Sequence, residues 1–184
     1  AAGNSALAKA IAACKEFSCG RLQVASLVGC VYWEIDSKVI TPNPDLAGSF
    51  DMIGFSYYCA FGVRNGQLAL YPEDAPLSPL GYTIWPDGLR LILDKLHAEL
   101  PRTPLLIAEY GIGTNDDDVR AAYLADGLDI THDAIARGIP VKGFFHWTAV
   151  DNYEWLHGFD LKFGLIDINR QVKKSALTLQ AETP

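Results

Sequence analysis

The sequence predicts an α/β fold built on a parallel sheet, and three observations carry that prediction. Short apolar runs rich in Val, Ile, Leu, Phe and Tyr alternate with longer segments of helical spacing. The runs hold almost no charge, as strands covered on both faces require. At 184 residues, 49% hydrophobic and 20% charged, the chain has the composition of one globular domain, residues 1–184.

The first element is an Ala-rich helix from Ser5 to Phe17, with Asn4 as its N-cap and Leu7 and Ile11 four residues apart. Leu22 to Trp33 follows as a nearly uncharged strand, and Pro42, Asn43, Pro44 and Asp45 make a loop. Met52 to Tyr58 is too short for a helix and rich in β-formers, so it reads as a second strand. Tyr71 to Tyr82 is an irregular connection rich in Pro and Gly. Pro86 then takes the first position of a helix carrying Leu89, Leu91, Ile92, Leu96 and Leu100 and stopping at Pro101.

Leu105 to Ala108 gives a third strand ending at Glu109. A helix runs from about Asp116 to Gly138, with Asp116, Asp117 and Asp118 complementing the positive end of its dipole. Val141 to Trp147 supplies the fourth strand, the loop DNYEWLHG follows, and after a short segment at Phe163 to Ile168 the last helix starts near Lys173. Strands alternating with crossover helices make a parallel sheet. That tally fits either a small doubly wound domain or half of an eight-fold barrel, because a whole barrel needs about 250 residues.

Charge and composition exclude several functions. Fifteen Lys plus Arg against 22 Asp plus Glu leave a net charge of −7, which repels nucleic acid and anionic lipid. No apolar run approaches the ~18 residues that cross a bilayer. Cys14, Cys19, Cys30 and Cys59 form no CxxC pair and have no His at zinc spacing, so neither a metal nor another cofactor is expected. They read as reduced, mostly buried thiols of a cytoplasmic protein. The chain opens on Ala1 rather than Met, as expected of a sequence processed, excised or recorded in part.

In parallel α/β folds ligands meet the carboxyl ends of the strands. Those ends carry Trp33 and Glu34; Ser56, Tyr57 and Tyr58; Glu109 and Tyr110; and His146 and Trp147. Aromatic faces beside carboxylates suit a sugar, which offers C–H patches and a rim of hydroxyls. Glu109 follows four apolar residues, LLIA, so the chain brings an acid to the mouth of the sheet. The structural alternative is a strand-end Glu paired with an Arg or capping a helix. His146 precedes Trp147 and should point to the helix side, whereas His157 lies in the loop beyond.

From Asp51 to Ser175 the chain resembles the C-terminal half of glycoside hydrolase family 1, the β-glucosidase and β-galactosidase family of retaining enzymes on a (β/α)8 TIM barrel. DMIGFSYY resembles its sixth-strand motif, WPDGLRLIL a helix start, and LLIAEYGIG the seventh-strand motif usually ending T-E-N-G. GFFHWTAVDNYEWLHGFDLKFGLIDIN resembles the eighth strand and sugar-binding segment. The resemblance implies that Glu109 is the nucleophile, that Tyr58 hydrogen-bonds it, and that Trp147 stacks on the glycone. It further implies that Glu154 and Trp155 bond the sugar hydroxyls and that Phe163 closes the pocket wall. A carboxylate at Glu154 implies an unphosphorylated sugar, since the phosphosugar branch has no acid there.

The chain departs from the pattern in three ways. Ser56 stands where Asn is usual, and Tyr110 replaces the Asn after the nucleophile, so the hydrogen bonds around Glu109 are expected to differ. The N-E-P motif that carries the acid/base is absent, as are the first-strand Gln and third-strand His-Trp sugar contacts.

A retaining glycosidase needs a second carboxyl group ~5 to 5.5 Å from the nucleophile. Glu34 is the sole candidate within the chain, but it falls on the fifth strand, one strand from the acid's place. The resemblance makes the chain strands five to eight, a half-barrel with two open edges and a bare inner face. Its expected partners are a small β-glycoside or oligosaccharide and either the missing N-terminal half or a second copy. A silent sugar-binding half-barrel, or a structural one without ligand, are the alternatives.

Overall fold

The computed structural model describes residues 25–28 and 50–182. In chain order the elements are β1 (Ala25–Val28), β2 (Met52–Tyr57), β3 (Ala60–Arg64), β4 (Gln67–Tyr71) and α1 (Asp87–Glu99). Then come β5 (Leu105–Tyr110), α2 (Asp117–Ala136), β6 (Val141–His146) and α3 (Lys174–Glu182). The expected helix at Ser5 to Phe17, the loop at Pro42 to Asp45, Glu34, and Cys14, Cys19 and Cys30 lie outside the described residues, as does most of the strand expected at Leu22 to Trp33.

β1, β2, β5 and β6 form one parallel sheet in that spatial order. A doubly wound sheet reverses direction at a switch point, whereas a barrel adds each strand on the same side of the last. The order found is that of a barrel segment. Both crossover helices accordingly lie on one face of the sheet. Leu89, Leu93 and Leu96 of α1 and Tyr123, Leu124 and Leu128 of α2 join Phe55, Leu105 and Ile107 in one buried cluster. Leu89 and Leu93 are wholly buried, which is worth roughly 2 kcal/mol each. On the opposite face, which no described helix covers, Phe145 of β6 remains 57% exposed.

Helix ends follow local chemistry. Asp116 is the N-cap of α2, its Oδ1 accepting from the amides of Asp118 at 3.0 Å and Val119 at 3.4 Å. Pro86 is the N-cap of α1 rather than its first residue, one position from expectation. α3 docks on the start of α2 through Ser175, whose amide and hydroxyl both donate to Asp117.

The hairpin β3–β4 corrects the sequence reading, which saw no strands between Cys59 and Tyr71. Asn65 and Gly66 join its strands at φ 52° and 76°. An Asn-Gly pair is the strongest short-range hairpin signal, because both turn residues need positive φ. Among the described residues no helix is long and apolar enough to cross a membrane.

Candidate active site

Between Ile107 and Tyr110, β5 holds one residue more than either neighbouring strand. Phe55 and Ser56 of β2 stand opposite Ile107 and Glu109, while Phe144 and His146 of β6 stand opposite Ile107 and Tyr110. Such a bulge re-aims the side chains beyond it. Leu105 and Ile107 point into the helix-covered core, and uninterrupted alternation would send Glu109 after them. The extra residue instead turns Glu109 to the bare face and Tyr110 to the core.

There the Tyr58 hydroxyl donates to Glu109 Oε2 at 2.7 Å. Burial first, then this bond and the charges of Glu109 and Glu154, push the Tyr58 phenol well above its usual range. It therefore stays a donor throughout the pH range of most enzymes. Phe163 is buried and sets its ring edge-on to Tyr58, with centroids 6.3 Å apart and planes at 89°. A cavity of about 10 Å³ between Tyr58, Tyr82, Thr83, Gly111 and Phe163 has room for a single water. No ion pair involves Glu109 among the described residues.

The chain leaving β6 brings the other aromatic residues. The Trp147 amide donates to the Tyr110 carbonyl at 3.0 Å, which fixes Trp147 one strand away from Glu109. Gly111 permits that approach, since a Cβ there would stand 2.2 Å from the Trp147 carbonyl oxygen. Trp147 is 36% exposed and Trp155 84%. Glu154 is half-buried and accepts from Asn152 Nδ2 at 2.8 Å.

The site thus presents one carboxylate held by a phenol, a second carboxylate whose charge acts on that phenol, and a partly exposed tryptophan at the next strand end. A model of glycosyl hydrolase family 1 matches residues 40–181. The chain belongs to that family.

Among family 1 relatives, β-galactosidase of Pyrococcus woesei is 31% identical over 137 residues, which cover 74% of this chain and 26% of the relative. The chloroplastic galactolipid galactosyltransferase SFR2 of Arabidopsis thaliana is 33% identical over 138 residues, covering 73% of this chain and 22% of its own. The structure of the Thermotoga maritima β-glucosidase in complex with glucoimidazole superposes with a TM-score of 0.65 at 25% identity, over 76% of this chain and 37% of the enzyme. The chain therefore spans about a quarter of the length of these curated relatives. Its fold is part of a TIM barrel.

The structure brings Tyr58 against both Glu109 and Phe163, with the charge of Glu154 felt at Tyr58 and Trp147 at the adjoining strand end. It leaves Trp155 largely exposed. Tyr110 is wholly buried, stacks on Tyr123 at 4.6 Å and donates to the Tyr123 carbonyl at 2.8 Å, so its side chain takes no part in the hydrogen bonding of Glu109. His146 also sits beneath the strand end, with Nε2 3.1 Å from the Phe163 carbonyl. Cys59 is half-buried, and burial pushes its thiol up to about 11, which leaves it protonated near neutrality.

Sequence reasoning passed over two buried ionic groups of this family 1 chain. Arg120, only 1% exposed, donates to the carbonyls of Thr114 and Lys162 and pairs with Asp117. Its signal was an Arg at a core position of the helix. Asp151 and Lys173 form a second buried pair. Among the described residues no cluster of three or more His, Cys, Asp or Glu could hold a metal ion.

Proposed function

We propose that this chain carries the nucleophile and sugar-reading half of a retaining β-glycosidase acting on an unphosphorylated β-glycoside or oligosaccharide in the cytoplasm. The observation that carries the reading is Glu109, turned to the bare face of the sheet by a bulge and held by the Tyr58 hydroxyl. A carboxylate at a strand end, with no ion-pair partner among the described residues and an aromatic residue at the next strand end, suits attack on a sugar.

In the proposed reaction a Glu109 oxygen attacks the anomeric carbon while the bond to the departing oxygen breaks. A second carboxyl group protonates that oxygen. The same group then takes a proton from water, which attacks the anomeric carbon and releases Glu109. Tyr58 holds the nucleophile in line, Trp147 offers a ring face to the sugar, and Glu154 and Trp155 bond its hydroxyls. Phe163 backs Tyr58.

The acid/base belongs to the residues that complete the barrel, in the missing N-terminal half or, as an alternative, a second copy. The exposure of Phe145, on a sheet face that no described helix covers, supports that partnership, because apolar surface is costly to leave wet. A 2-deoxy-2-fluoro-β-glycoside with a good leaving group tests the reading. Mass spectrometry of the complete protein should find Glu109 glycosylated. Reversible binding without labelling would favour a silent sugar-binding half-barrel, and neither would leave a structural role.

A further inference from the structure

The loop that carries Glu154 is rooted in a buried ion pair. Lys173 Nζ donates to Asp151 Oδ1 at 2.7 Å, with the two side chains 16% and 2% exposed. The same Oδ1 accepts from the Gly164 amide at 2.9 Å, and Nζ also donates to the Gly164 carbonyl at 2.9 Å. Backbone bonds run beside them from the Asp151 amide to the Ile166 carbonyl and from the Lys173 amide to the Leu165 carbonyl, each 2.9 Å. A Cβ at Gly164 would stand 2.2 Å from the Asp151 amide nitrogen, so the two segments meet with no room to slide.

We propose that Asp151 and Lys173 are positioning residues for sugar recognition, fixing the loop from which Glu154 reaches the glycone. The proposal rests on the glycosidase reading above. Two charges buried at a loop root cost desolvation that an apolar pair of the same size avoids, so stability alone does not account for them. What they provide is direction. Each makes more than one hydrogen bond, and together they fix residue 151 against residue 164 where apolar packing tolerates drift.

Three residues beyond Asp151, the Glu154 carboxylate is held by Asn152, and the Glu154 amide donates to the Gly158 carbonyl at 2.7 Å. Tyr153, Trp155 and Leu156 are exposed. Among the described residues the loop is therefore gripped at its root, and an error in the position of Asp151 passes on to Glu154. Glu109 is held on β5 and by the Tyr58 hydroxyl, neither of which the pair contacts, so the main effect of the pair falls on sugar binding rather than on bond cleavage.

The test is the steady-state kinetics of Lys173→Met and Asp151→Asn in the complete protein, with 4-nitrophenyl β-glucoside and β-galactoside. Lys173→Met should raise KM about 10-fold or more with kcat within about 3-fold of the parent. Asp151→Asn keeps the acceptor for Gly164 but loses the charge, and should raise KM about 3-fold. An unchanged KM in a folded variant, or a fall in kcat at constant KM, overturns the proposal. If Lys173→Met does not fold, Asp151→Asn decides by the same criteria. If the parent protein hydrolyses no β-glycoside, the glycosidase reading fails by itself. Calorimetric titration with glucose and galactose then decides the positioning role: weaker binding by the variants upholds it, and equal or absent binding by parent and variants overturns it.

Discussion

Glu109 and Tyr110 are neighbours in the chain and face opposite sides of the sheet. The carboxylate accepts the Tyr58 hydroxyl on the bare face, and the Tyr110 ring lies wholly buried against Tyr123 on the other. The bulge in β5 separates them, and it divides the consequences of substitution in the same way.

Tyr58→Phe removes the donor to Glu109 and little else. The variant should keep its thermal midpoint within about 3 °C and lose about 10²-fold in kcat, the scale found when one preorganised donor is removed. Steady-state rates beside a melting curve check this. A variant with full kcat would show that the hydrogen bond has no part in the reaction.

Tyr110→Phe should do the reverse. It deletes the bond to the Tyr123 carbonyl, leaves that carbonyl buried, and should cost about 1–2 kcal/mol of stability. With Glu109 untouched, kcat should hold within about 2-fold, since Tyr110 makes no contact with the reacting groups. Denaturant titration and kinetics on one sample decide the matter, and a large loss of kcat without loss of stability would contradict the geometry.

Gly111→Ala places a methyl group against the Trp147 carbonyl, a backbone atom that cannot swing aside. The strand end must shift, at a cost of about 1–3 kcal/mol. Trp147 should move with it, so binding of a monosaccharide should weaken in the folded variant. Quenching of tryptophan fluorescence by added sugar measures this, and an unchanged affinity would remove Trp147 from the binding surface.

Acid should weaken the fold through His146. Burial, the largest influence, lowers its imidazole from 6.5 to about 4. The unfolded chain therefore takes up a proton between those values that the folded chain refuses. Stability from this residue is complete above pH 6.5 and is lost as the pH falls, by about 3 kcal/mol near pH 4. Urea midpoints at pH 7 and 4.5 should draw together in His146→Gln relative to the parent. Parallel losses in the two proteins would rule out His146 as the source.

Much of the family 1 site was legible in the residues. DMIGFSYY, LLIAEYGIG and the long segment from Gly143 gave the strands, and Asp116 to Asp118 announced a helix start that the structure caps with Asp116. The hairpin was equally legible, since Asn65–Gly66 demands a turn with two positive φ angles. It went unread because Phe61, Val63, Leu68 and Leu70 lie on exposed strands that show no clean buried face.

The sequence by itself determined which residues form strands and helices, because apolar spacing and capping chemistry are local properties. It also determined that an acid and aromatic residues gather where strands end. Only the tertiary structure decided which way those side chains face. A strand that is apolar throughout carries no alternation from which its inner face could be read. A single extra residue in β5, visible only against its neighbours, reverses Glu109 and Tyr110. The same holds for Arg120 and for Asp151 with Lys173, whose charges are accounted for by partners as many as 42 residues away in the chain.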